Sequence, residues 1–252
     1  MKDEQGLFNK TFIIPAIDII DGKCVRLSRG DFSASTIYDH HPLAVAKRFE
    51  DAGVERLHLV DLDGAKIGKV SNWKVLEDIT SKTKLKIDFG GGLKSEEDLR
   101  IVFDSGARWA AIGSIAVTER EKFSQWIADF GGDKFLLGAD VKNERIAIRG
   151  WQEITEITVY ELISLYTKLG ITQIFCTDVS RDGMLAGPAV ELYKKILAEF
   201  PEVKLIASGG VSSVQDVQQL YDAGCLAVIV GKAIYEGRIN LNELEKMNLK
   251  IK

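Results

Sequence analysis

The stretch IDFGGGLKSEEDLRIVFDSGARWAAIGSIAV (residues 87–117) reads as strand, helix and strand, and the chain contains it twice. Laid over LIASGGVSSVQDVQQLYDAGCLAVIVGKAIY (205–235), at a shift of 118 with no gap, it sets Gly91 on Gly209 and Gly92 on Gly210. Ser95 then meets Ser213, Asp98 meets Asp216 and Gly113 meets Gly231. Weaker echoes place HLVDL (58–62) on FCTDV (175–179) at a shift of 117, and IPAID (14–18) near LLGAD (136–140) at 122. Composition alone does not produce an ungapped register of this length, so the chain reads as two similar halves.

Outward from the repeat, short apolar runs alternate with longer amphipathic segments. The runs are TFIIPAID (11–18), RLHLVDL (56–62), KLKIDFG (84–90), RWAAIG (108–113), KFLLGAD (134–140), TQIFCTD (172–178), VKLIASG (203–209) and LAVIVG (226–231). Each stays apolar almost to its end, the pattern of a parallel strand buried on both faces. Between them, PLAVAKRFEDAG (42–53) and SEEDLRIVFDSG (95–106) have helical spacing, and the second opens on Ser-x-x-Asp and ends in Gly. Eight strands separated by helices close into a single (β/α)8 barrel of the α/β class, built from two half-barrels. The expected barrel domain covers 11–252, behind an N-terminal extension at 1–10. An open doubly wound sheet is the alternative architecture.

The 252 residues carry 33 Lys+Arg and 37 Asp+Glu, a net charge of −4. That balance argues against nucleic acid or an anionic membrane as the main partner. The longest apolar stretch, 225–231, is far short of the ~18 residues of a membrane span. Cys24, Cys176 and Cys225 are too few and too scattered for a disulfide framework or a zinc knuckle. The charged N-terminus lacks the apolar core of a signal peptide, so a cytoplasmic protein is expected.

Two glycine-rich loops follow strands and precede helices: Gly91-Gly92, after Gly90, and Gly209-Gly210. Glycine admits a ligand close to the backbone, and a helix start offers free N–H groups, so phosphate suits both loops. Gly113-Ser114 and Gly231-Lys232 follow the fourth and eighth strands and complete two sites across one mouth. Turn glycines without a ligand are the competing reading. Asp18 and Asp140 end the first and fifth runs, where barrel enzymes place their chemistry, and an opposed pair suits general acid–base work. Asp61, Asp63, Asp88, Asp178 and Asp182 are also expected near the mouth, so spacing does not select the pair. Thr177 and Asp182 flank a loop given freedom by Gly183 and Gly187. Arg26 reaches a phosphate or is a surface charge, and Trp151 stacks on an aromatic substrate or anchors its loop. His40, His41 and His58 read as ordinary surface or turn histidines. Neither a metal site nor a dinucleotide, P-loop or serine-hydrolase motif is present, which leaves acid–base chemistry without a cofactor.

Taken together, IIPAIDIIDGKCVRLSRGD, HLVDLDGAK, FGGGLKS, TDVSRDGMLAGP and ASGGVSS resemble the histidine-biosynthesis isomerases. Those enzymes convert phosphoribosylformimino aminoimidazole carboxamide ribotide (ProFAR) to its phosphoribulosyl form. The resemblance spans about 11–240. It implies an Amadori rearrangement of a small bisphosphate substrate by a cofactor-free monomer. It assigns Asp18 as proton acceptor and Asp140 as proton donor, with Asp182 a rival donor. Thr177 orients the substrate, Trp151 stacks on the aminoimidazole ring, and the glycine loops hold the phosphates. Lys94 stands where the family often has Arg. The rivals are a dual-substrate isomerase also acting on phosphoribosylanthranilate, the cyclase of the next step, and a non-catalytic phosphosugar-binding barrel.

Overall fold

The computed structural model describes residues 12–28 and 31–240. The expected extension, 1–10, lies outside the described residues, as do Thr11 and 241–252. The strands are β1 (Ile13–Ile20), β2 (Lys23–Ser28), β3 (Asp31–Asp39), β4 (Arg56–Asp61), β5 (Lys86–Gly90) and β6 (Trp109–Ile112). The second half supplies β7 (Phe135–Lys142), β8 (Arg145–Ile148), β9 (Glu153–Thr158), β10 (Gln173–Asp178), β11 (Lys204–Ser208) and β12 (Ala227–Val230). Eight of these are parallel neighbours in the ring β1-β4-β5-β6-β7-β10-β11-β12, and β12 pairs again with β1. The ring is closed, so the doubly wound alternative is excluded. Its eight staves fall on the eight apolar runs.

Helices α1 (Pro42–Asp51), α2 (Leu62–Ile67), α3 (Trp73–Lys82), α4 (Glu96–Asp104), α5 (Ile115–Thr118) and α6 (Arg120–Phe130) follow the first-half strands. The second half carries α7 (Val159–Thr167), α8 (Val190–Glu199), α9 (Val214–Asp222) and α10 (Lys232–Tyr235). Local chemistry starts the paired helices alike. Ser95 and Ser213 are N-caps of α4 and α9, each in a reciprocal box with Asp98 or Asp216. Asp98 also accepts the Val70 N–H at 3.1 Å, tying the helix start to the neighbouring loop.

The strand pleat divides the core in two. Ile13, Ile17 and Ile19 face outward into the main cluster under the helices. Ile14 and Ala16 face inward, with Trp109, Leu136, Ile206, Ala227 and Ile229. Residues at the same parity further along each strand, Asp18, Asp140, Thr177 and Ser208 among them, therefore point into the barrel. Two wholly buried tyrosines tie elements together: Tyr166 on α7 donates to the Ala116 carbonyl on α5 at 2.6 Å, and Tyr193 on α8 to that of Ser208 on β11 at 2.7 Å.

The segments after the first and fifth barrel strands are hairpins rather than loops. Asp21 and Gly22, with φ of 50° and 69°, turn β1 directly into β2. Asn143 and Glu144, with φ of 52° and 64°, turn β7 into β8 in the same way. Positive φ at both central residues is the type I′ geometry that matches strand twist. The 122-residue shift between Asp18 and Asp140 thus runs on through both turns. As a result neither aspartate ends its strand: β1 and β7 continue two residues beyond them.

Candidate active site

Asp18 and Asp140 occupy the first and fifth staves of the ring, on opposite sides, and both face its interior. They are held differently. Arg26 on β2 donates from Nη1 to Asp18 Oδ2 at 2.7 Å, and the two side chains retain only 19% and 13% exposure. Arg26 is thus no free surface charge. Its guanidinium lies against Gly231, where any Cβ would overlap it, and 5.8 Å from the Tyr235 ring centre.

Among the described residues Asp140 has no salt-bridge partner. The Trp151 indole donates from Nε1 to its Oδ2 at 2.8 Å, and Thr177, its register partner on β10, also hydrogen-bonds it. Burial raises its pKa above the usual carboxylate value, against the opposing pull of these two bonds and of the His58 charge. Trp151 reaches the carboxylate because Arg149, Gly150 and Trp151 all adopt left-handed φ, 54°, 64° and 69°. For the two side-chain-bearing residues this conformation costs about 1–3 kcal/mol each, strain of the kind concentrated at working sites. Asp182 is also raised by burial, opposed chiefly by the Arg26 charge.

The glycine loops have a structural duty of their own. Gly92 sits at φ 79°, and a Cβ there would come within 2.6 Å of the Lys69 carbonyl. Its counterpart Gly210, at φ 83°, would overlap the Gly187 carbonyl, and 187 is 69 shifted by 118. Gly91 and Gly209 pack on the backbones of Asp61 and Asp178 in the same paired manner. Backbone packing therefore requires these glycines whatever the loops bind. Ser114 accepts the Arg149 N–H at 3.1 Å, and Lys232 donates to the Gly183 carbonyl at 3.0 Å. The two loop pairs are thus built on one plan but differ in charge.

Not every aspartate expected near the mouth turns its side chain into the barrel. Asp61 faces outward, where it caps α2 and accepts from the backbone of Ser71 and Asn72. Asp178 accepts from Ser180, and Asp63 accepts from the Asp21 N–H and from Asn72. Asp88 is wholly buried at mid-barrel. His58 is not a surface or turn histidine: it points inward, 8% exposed, and its Nδ1 pairs with Asp88 Oδ1. The signal was available, since Arg56 and His58 recur at period two within an apolar run. Among the described residues no cluster of three His, Cys, Asp or Glu could hold a metal ion, and no helix is long and apolar enough to cross a membrane.

Residues 12–240 match the family described as Histidine biosynthesis protein. A relative from Flavobacterium johnsoniae is 56% identical over 92% of this chain and 97% of its own length. One from Parabacteroides distasonis is 55% identical over 92% and 97%, and one from Cytophaga hutchinsonii 53% over 94% and 98%. All three are described as 1-(5-phosphoribosyl)-5-((5-phosphoribosylamino)methylideneamino)imidazole-4-carboxamide isomerases. On the match of nearly its whole length, the chain belongs to the histidine biosynthesis protein family.

Proposed function

We infer that the chain isomerises ProFAR, an aminated ribose phosphate, to its phosphoribulosyl form by an Amadori rearrangement. The observation that carries this reading is the unequal dressing of two opposed carboxylates: Asp18 pairs with a guanidinium, whereas Asp140 accepts from the neutral Trp151 and Thr177. Such a difference separates a base from an acid within one pocket. Asp140, whose pKa burial raises, donates its proton to the furanose ring oxygen as the C1′–O bond breaks and the attached nitrogen forms a C=N bond. Asp18 then takes the C2′ proton, and the electron pair left behind forms the enolamine and neutralises the iminium. Loss of the C2′ hydroxyl proton and protonation at C1′ complete the ketose.

Thr177 and Trp151 hold the acid, and the indole offers a face to the aminoimidazole ring. One phosphate binds at Gly91, Gly92 and Ser114, the other at Gly209, Gly210, Gly231 and Lys232, with Arg26 beside the second. Their binding energy orients the sugar between the aspartates. The residues need no cofactor for these steps. Absorbance-monitored turnover of ProFAR and phosphoribosylanthranilate in parallel tests the reading. Turnover of ProFAR alone is expected. Turnover of both makes the enzyme dual-substrate, and a folded protein that turns over neither is a binding barrel.

A further inference from the structure

Beneath the mouth the barrel carries a chain of charge that the proposed acid and base do not use. Arg56 and His58 point inward from β4, and Asp88, the register partner of His58, from β5. Asp88 has no exposure, and the His58 and Arg56 side chains keep 10% and 7%. His58 Nδ1 is bonded to Asp88 Oδ1, and Arg56 Nη2 stands 3.9 Å from Asp88 Oδ2. Arg56 is itself fixed from two sides: Nη1 donates to Gln173 Oε1 at 3.3 Å, and the guanidinium stacks 4.1 Å from the Trp109 ring centre. Branched apolar side chains usually fill this layer. Three ionisable groups there are tolerable only as a mutually paired set.

Asp88 Oδ2 and Arg56 Nε and Nη2 are, among the described residues, buried without hydrogen-bond partners and face one another only as charges. Among the described residues, His58 Nε2 has no hydrogen-bond partner. The imidazole is surrounded by Asp88 on β5, Asp18 on β1, Arg26 on β2, Asp140 on β7 and the Phe175 ring on β10 at 5.4 Å. Burial disfavours its charge, but the Asp88 carboxylate, helped by Asp18, outweighs burial and Arg26 and leaves its pKa raised.

We propose that Asp88 is a positioning residue for the isomerisation, clamping His58 as an imidazolium whose Nε2 donates a hydrogen bond to an oxygen of the reacting sugar, with the Arg56 guanidinium standing beside the far Asp88 oxygen. The C2′ oxygen is the one that gains most, because it passes from hydroxyl to carbonyl. A cationic donor preset in a dry interior stabilises such a change without reorganising. The inference rests on the roles proposed for Asp18 and Asp140.

His58 is one of three histidines, so its imidazole is readily assigned in long-range proton–nitrogen spectra with His58→Gln as reference. In the native protein both ring nitrogens of His58 are expected to carry protons at about pH 7. A neutral ring there overturns the proposal. Asp88→Asn should lower the His58 pKa and cut kcat at least about tenfold while KM for ProFAR changes less than about threefold. Asp88→Glu should restore part of kcat. An Asp88→Asn enzyme that loses thermal stability but keeps native kcat and pH profile makes the chain purely structural and overturns the proposal. Native turnover in Asp18→Asn and Asp140→Asn, with His58 charged as expected, would instead overturn the acid–base assignment.

Discussion

Arg26 and Asp18 form an ion pair at 2.7 Å across the β1–β2 hairpin, Arg26 lying one residue beyond Val25, the register partner of Asp18. The type I′ turn at Asp21-Gly22 makes this possible by folding β2 back along β1. Removing the guanidinium leaves a shielded carboxylate without its counterion. Arg26→Ala is expected to lower kcat/KM for ProFAR by roughly 30-fold or more, about 2 kcal/mol, and Arg26→Lys by less. Native kinetics in Arg26→Ala would show that the pair is incidental.

Asp18→Asn and Asp140→Asn should each cost at least about 2 kcal/mol in kcat/KM. Asp182→Asn is the comparator, because burial raises both Asp140 and Asp182. A smaller loss in Asp182→Asn identifies Asp140 as the donor. The reverse order in single-turnover measurements transfers that role to Asp182.

Trp151→Phe keeps an aromatic face but deletes the indole N–H bonded to Asp140. That bond favours the carboxylate form, so its loss lets burial lift the Asp140 pKa further. The acid then keeps its proton to higher pH. The limb of the pH–rate profile on which activity falls with rising pH should move upward. A limb that stays in place or moves down refutes the arrangement.

Asp98 accepts bonds from Val70, Lys94 and Ser95, and these outweigh burial to hold its pKa below the usual value. A depressed native pKa contributes stability above the unfolded-state pKa, lost as pH falls through the native one. Asp98→Ala should lower unfolding free energy by about 1–3 kcal/mol near neutrality. It should also flatten the acid side of the stability curve. Urea titrations across pH read both effects.

Gly92→Ala forces a Cβ to 2.6 Å from the Lys69 carbonyl at φ 79°. A loss of at least about 1–3 kcal/mol is expected whether or not ligand is present. A variant as stable as native that merely fails to bind inorganic phosphate would mean that the loop serves the ligand alone.

Much of this architecture is legible in the chain because each buried stave is a short apolar run and the repeat fixes its partner. Asp18 and Asp140 are legible as residues near the same end of their strands. The hairpins were harder. Asp21-Gly22 is a strong turn signal, but Asn143-Glu144 places a glutamate where glycine is usual, and only the second half's likeness to the first points to it. Sequence spacing also cannot separate Asp61 from Asp18, because facing depends on pleat parity. His58 and Asp88, 30 residues apart, meet only through strand pairing.

The strands β6 and β12 are four residues each and share only three paired positions with either neighbour, against five between β4 and β5 or between β7 and β10. They are the slenderest staves, related by the halves' symmetry, and Gly113-Ser114 and Gly231-Lys232 extend from their ends. Transient opening of the ring should start there, so their amides should exchange with solvent sooner than those of β4 and β7. A doubly phosphorylated ligand gripping both ends would work as a hoop, slowing exchange in these two strands first.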